Sequence, residues 1–404
     1  MTGTTIAQAI PIAISPILTR IYTPDDFGVL AIFMAITAIT GAISNTKYEQ
    51  AIVLPKEEND AVNVLALGVF IAISLSLFLL LIILLFDTQI VLLIGNEKIK
   101  KWLYLVPIST LFLGIFNSLN FYNIRHKKFK NIAVSQVTKS SALGLIQVGI
   151  GLLSNSPFGL ILGQIMSYFS GNFILFKTLK EKKDYKAVIN KQKIKSLAKK
   201  YKKFPTFSMP AIFLNSLNLN MVSFLISSIF SITTLGFYAL TQRIIGIPSR
   251  VIGNSLSQVY FQKATEEYNK TGHTNHIFVK TVKKLVLIGL PIFIILFFIA
   301  EPIFAFVFGE EWLIAGTYAK ILVPLAFVRF ISGSLSMTIS IHQKQEIGMF
   351  INILLLVTTI LIFYIAKIKH LDFELILIYL SLILSVEYLF FLFLYYYISN
   401  TPNK

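Results

Sequence analysis

The chain has 404 residues, of which 55% are hydrophobic and only 14% charged. A soluble domain carries about a quarter charged residues, so this composition excludes an ordinary soluble domain and points to a polytopic membrane protein. The formal net charge is +17 and cysteine is absent, which excludes thiol catalysis, disulfides and cysteine-ligated metal sites.

In chain order, apolar segments predict twelve helices at roughly 4–22, 28–47, 61–86, 102–124, 131–153, 157–176, 205–229, 234–261, 280–300, 316–341, 347–366 and 373–398. Each has about twenty residues or more, enough to cross a hydrocarbon core of ~30 Å. Pro11 and Pro16 interrupt the first, which a spanning helix tolerates where neighbours satisfy the freed carbonyls. The opening MTGTTIAQAI lacks a basic n-region, so no cleavable signal is expected.

Six of these helices precede the stretch Lys177–Lys203 and six follow it. That stretch holds twelve lysines against two acids, Glu181 and Asp184, and cannot enter a bilayer. The expected organisation is all-α: a six-helix bundle over 1–176, a basic linker over 177–203 and a second six-helix bundle over 204–404. Nucleic acid is not the expected partner, because the charge is confined to gaps between spans. Lys56, Arg125, Lys127, Lys128, Lys130, Lys263, Lys270, Lys280, Lys283, Lys284 and Lys344 fall in the same alternating set of gaps as the linker. The positive-inside rule makes that set, and both termini, cytoplasmic.

The halves echo each other. Phe27-Gly28-Val29-Leu30-Ala31 falls on Leu235-Gly236-Phe237-Tyr238-Ala239, IGNE at 94–97 on FGEE at 308–311, and IRHK at 124–127 on IHQK at 341–344. An even number of helices per half relates them by a parallel pseudo-two-fold axis along the membrane normal.

A charge at the centre of a spanning helix costs about 2.5–3.5 kcal/mol on insertion scales, so it usually faces a cavity. Arg243 and Arg250 lie seven apart in the eighth predicted helix, which on a regular helix puts them on one face. Arg329 is mid-span in the tenth and Lys139 in the fifth. Arg20 closes the first helix; Lys47 and Glu49 sit at the inner end of the second. Arg243, Arg250 and Arg329 are expected to line a cavity between the halves, with Arg20, Lys47 and Lys139 as further candidates. The competing expectation is a fixed pair with a buried acid. Glu387, inside the twelfth helix, and Glu49 are the ion-pair or ion-coupling candidates. His273 and His276 have metal-pair spacing but no supporting carboxylate cluster; no metal, cofactor or catalytic set is expected, and the chain is not read as an enzyme.

At TRIYTPDDFGVLAIF (19–33) and KYEQAIVLPKEENDAVNVLALG (47–68) the chain resembles the Wzx-type polysaccharide-biosynthesis flippases of the MATE-like multidrug/oligosaccharidyl-lipid/polysaccharide exporter superfamily. The match falls on Arg20, Tyr22, Thr23, Pro24, Asp25, Phe27, Gly28, Lys47, Tyr48, Glu49, Ala51 and Pro55. Lys47 departs from the commoner Arg, which weakens bidentate phosphate binding there. The resemblance implies translocation of undecaprenyl-pyrophosphate-linked oligosaccharide units across a bacterial plasma membrane, for O-antigen or capsule. It also implies polymerase and glycosyltransferase partners. Alternatives are a cation-coupled small-molecule exporter, which favours cavity acids, or a membrane glycosyltransferase or polymerase, which needs a sizeable polar outer loop.

Overall fold

The computed structural model describes residues 2–154, 156–181 and 185–401. Asp184 of the basic segment lies outside them. Fourteen longer helices organise the described chain. The first seven are α1 Thr2–Ile21, α2 Pro24–Ile43, α3 Glu58–Ile94, α4 Val106–Arg125, α5 Phe129–Gly151, α6 Phe158–Lys180 and α7 Lys191–Lys200. They are followed by α8 Met209–Ile229, α9 Ile232–Ile245, α10 Asn254–Thr271, α11 Asn275–Phe308, α12 Leu313–Leu335, α13 Gln345–Lys369 and α14 Phe373–Asn400. No strand occurs among the described residues.

Every predicted span has a helical counterpart, but not always an unbroken one. Eight helical segments are individually long and apolar enough to cross a membrane, and Glu97–Leu103 with α4, bent by 53°, makes a ninth. The remaining three are α1 with its two prolines, α5 with Lys139 inside it, and the eighth predicted helix. That eighth helix is broken: α9 stops at Ile245, a wide π-type turn occupies Ser249–Gly253, and α10 resumes at Asn254. The third predicted span is longer than expected, running to Ile94 past a non-helical Phe86.

The described chain forms two compact units, Met1–Gly236 and Phe237–Lys404. The first of these units includes α8, which packs along α2. In that unit α5 packs along α6 and α1 along α5. Tyr22 is the keystone: its buried hydroxyl donates to the Gln147 carbonyl at 2.7 Å. Gly159 makes room for it, since a Cβ there would stand 2.1 Å from the Tyr22 oxygen. Thr23 caps α2, and the Asp26 carboxylate accepts from the Thr23 backbone in return, a reciprocal capping box. Asp25 pairs with Lys98 and accepts from Thr233.

The basic segment is not a free linker. Helix α7 is amphipathic, and its Leu197 enters an apolar cluster with Leu65, Leu119, Leu175 and Leu179. The Tyr48 hydroxyl donates to the Ala198 carbonyl at 2.9 Å, and Asn63 bonds both the Val188 carbonyl and the Asn190 N–H. Nearby, Arg125 closes the loop after the short helix Tyr48–Ala51. Its guanidinium donates to the Pro55 carbonyl at 2.6 Å and to Glu58 at 3.1 Å, while Tyr122 donates to the same carboxylate at 2.6 Å.

In the second unit α11 packs along α12, and α12 and α13 along α14. The repeat is visible in backbone detail. His126 and His342 end their helices with nearly equal dihedrals (φ −85°, ψ 6° and φ −88°, ψ 7°). Lys127 and Gln343 follow at φ 55° and 54°, and Lys128 and Lys344 begin the next helices. This register sets His126 on His342, one residue away from the alignment of IRHK on IHQK. Gly95 and Gly309, both at positive φ but with different ψ, each stand just before a 3-10 turn.

Candidate functional site

The break in the eighth predicted helix builds the site. Pro248 has no N–H to donate, and the wide turn that follows inserts an extra residue into the helical register. Arg250 sits in that turn, and its guanidinium reaches back to the Arg243 carbonyl. The two arginines therefore do not project as a regular seven-residue repeat. Gly253 lets α12 approach: a Cβ there would lie 3.1 Å from the Ser334 hydroxyl, which itself donates to the Phe330 carbonyl at 2.7 Å.

Between the turn and α12 lies a cavity of about 420 Å³. Gln242, Arg250 and Asn254 line it from one side, and Leu325, Arg329 and Phe330 from α12. All of its lining residues belong to the second unit. It holds two arginines and no described carboxylate. The guanidinium is planar and permanently charged, a form suited to phosphate oxygens. The volume falls in the range of small-molecule sites, ~300–1,000 Å³.

The sequence candidates separate on inspection. Arg250 and Arg329 both line the cavity; Arg243 does not line it and instead supplies the carbonyl that holds Arg250. Among the described residues Glu387 forms no arginine pair. One of its oxygens accepts from Thr358 at 2.5 Å and the other is buried without a donor. Lys47 and Glu49 pair with each other at 3.2 Å, Lys47 in a left-handed backbone conformation. Lys139 rests between the rings of Tyr168 and Phe116, 4.3 and 4.9 Å from their centroids. Arg20 is exposed at the end of α1. The described residues hold no group of three His, Asp or Glu able to bind a metal ion.

Sequence reasoning missed Gln242, Asn254 and Phe330 as cavity residues and Arg125 with Glu58 as a clamp. Gly246 and Pro248 were the available signals for the broken helix. Pro55, in the quoted motif, marked the loop that the clamp holds.

An all-helical polytopic chain with matching turns in its two halves and a cationic internal cavity has the architecture of a two-lobed membrane transporter. The solved structures bear this out at the level of fold. A lipid II flippase MurJ in an inward closed conformation aligns with a TM-score of 0.78 and 15% identity, covering 98% of this chain and 87% of that one. An inward-facing multidrug resistance MATE family transporter aligns with a TM-score of 0.69 and 13% identity, covering 100% and 96%. Residues 17–316 match the model of the polysaccharide biosynthesis protein family, and the chain belongs to that family. An uncharacterized membrane protein in the cps region of Klebsiella pneumoniae is 20% identical over 361 residues, 87% of this chain and 72% of the relative.

Proposed function

We propose that the protein is a flippase for undecaprenyl-pyrophosphate-linked oligosaccharide units, moving them by alternating access across a bacterial plasma membrane. The cavity that holds Arg250 and Arg329 without a lining carboxylate carries this reading. A lipid-linked pyrophosphate is a multivalent anion, and two guanidiniums lining one cavity replace part of the water it leaves behind. No covalent step is needed. The repeated units are taken as 1–176 and 204–404, with both termini and the basic segment cytoplasmic. Surface polysaccharide of the O-antigen or capsule kind is the product pathway, with its polymerase and glycosyltransferases as partners.

The test is complementation of a flippase-deficient strain. Arg329→Ala and Arg250→Ala should reach normal membrane abundance but lose export, and Arg329→Lys should recover part of it. Normal export by both alanine variants at normal abundance sinks the reading. Reporter fusions after Lys203 and after Glu310 should report the inside and the outside respectively. A second reading, a cation-coupled exporter, is favoured by the donor-less buried oxygen of Glu387. It predicts that Glu387→Gln abolishes export while the arginine variants keep it.

A further inference from the structure

Helix α12 serves two hollows. One side of it faces the arginine cavity through Leu325, Arg329 and Phe330. The adjoining side, with Val323, Pro324 and Phe327, meets Leu290, Phe293 and Ile294 of α11 around a groove of about 180 Å³ that presents no polar surface. Aromatic rings connect the linings of the two. Phe293 of the groove lies 5.7 Å, centroid to centroid, from both Phe327 and the cavity's Phe330. Gly289 gives those rings their place, since a Cβ there would stand 2.8 Å from Phe330 Cε1 and 3.3 Å from Phe327 Cε2.

A cationic chamber beside a wholly apolar slot matches one kind of molecule, an anionic headgroup joined directly to a hydrocarbon chain. We propose that the α11–α12 groove receives the head-proximal part of the prenyl chain of a lipid-linked diphosphate whose diphosphate enters the arginine cavity. This rests on the functional reading above and adds to it where the chain goes. The groove is smaller than a drug-sized site, so it holds only the first part of a long chain and the remainder runs out among the lipids. Leu290 and Ile294 are nearly half exposed, which leaves that exit open. Carbon-only walls next to two guanidiniums select for the junction between diphosphate and prenyl chain rather than for either part alone.

The chain has no cysteine, so a single one at Ile294 reports on the groove without background. In purified Ile294→Cys, maleimide labelling should slow by roughly tenfold with undecaprenyl pyrophosphate, the effect of about two methylenes' burial. Sodium pyrophosphate and phosphatidylglycerol should leave the rate unchanged. Equal protection by phosphatidylglycerol would mean an ordinary lipid crevice and overturn the proposal. Leu290→Trp, which fills the groove from a lipid-exposed position, should weaken undecaprenyl pyrophosphate binding by roughly tenfold and spare sodium pyrophosphate binding. Unchanged binding of both ligands in Leu290→Trp also overturns it. Arg329→Ala separates the two levels of the argument. If sodium pyrophosphate shifts the thermal unfolding of wild type and not of Arg329→Ala, the cavity stands whatever the groove does. If it shifts neither, the functional reading fails first.

Discussion

Gly28 and Gly236 form a reciprocal contact within the first unit, and it invites a quantitative test. A Cβ added at Gly28 would stand 2.0 Å from the Ile232 carbonyl oxygen and 2.9 Å from its carbonyl carbon. A Cβ at Gly236 would stand 1.8 Å from the Pro24 carbonyl oxygen. Ordinary Cβ contacts begin at about 3.4 Å, so Gly28→Ala must open the backbone crossing by about 1.4 Å, the difference between 3.4 and 2.0 Å. The obstacle is main chain, not a rotatable side chain, so relief requires the start of α2 to move bodily. Overpacking of this kind costs about 1–3 kcal/mol, and a backbone clash belongs at the upper end. For a body of this size about 3 kcal/mol corresponds to a fall in unfolding temperature of roughly 6–12 °C. Gly149→Ala is the control: nothing lies within 4 Å of its added Cβ, and it sits inside α5. It should hold or gain stability, by up to about 1 kcal/mol from helix propensity. Thermal unfolding of detergent-purified protein, followed by fluorescence, measures both variants against wild type. A Gly28→Ala midpoint within a degree of wild type would refute the packing argument.

Three further expectations concern other parts of the chain. Arg125→Ala should lower stability by about 1–2 kcal/mol, the modest value because the Glu58 partner is one-third exposed, and Arg125→Lys should recover less than half by the same thermal assay. His342 is held below the ordinary histidine value of 6.5 by burial first, then by the charges of His273 and Lys344. Its neutral form is the folded one, so stability is full above about pH 6.5 and falls as pH drops below that value; His342→Gln should flatten that acid limb in a pH series of unfolding midpoints. Lys139→Met should leave stability within about 1 kcal/mol of wild type, since the ammonium loses two ring contacts but no described carboxylate partner. A large loss of folded protein on gel filtration would contradict that.

Much of the fold was legible because hydrocarbon thickness and loop charge act locally on the chain. Span lengths and lysine-rich gaps need no tertiary information, and the turns at Lys127 and Gln343 repeat in sequence as well as in dihedral angle. What the sequence hid depends on contacts across helices. The break at Ser249–Gly253 falls inside the 234–261 stretch read as one span; Gly246 and Pro248 mark it, but a kink and a full break look alike in sequence. The expected pairing of Glu387 with an arginine required knowing which faces meet, and that face meets Thr358. Arg250 and Arg329 were legible as costly mid-span charges, but Arg250 reaches the shared cavity from the wide turn, which the sequence did not show. The basic segment read as a joint because its lysines dominate; Leu197, Asn190 and Tyr201 carried the quieter pattern of a docked amphipathic helix.

That docking bears on where the chain can be divided. Leu197 completes an apolar cluster that Leu175 and Leu179 of α6 also enter, and Tyr48 and Asn63 fasten the residues on either side of it. Two fragments split before Lys177 would leave the first fragment with an open apolar floor, prone to aggregation while it waits for its other half. Split after Lys203, the first fragment carries its own cover. Co-expressed halves should therefore reassemble from the later cut, and a linker replaced by glycine and serine would remove a structural floor along with its charge.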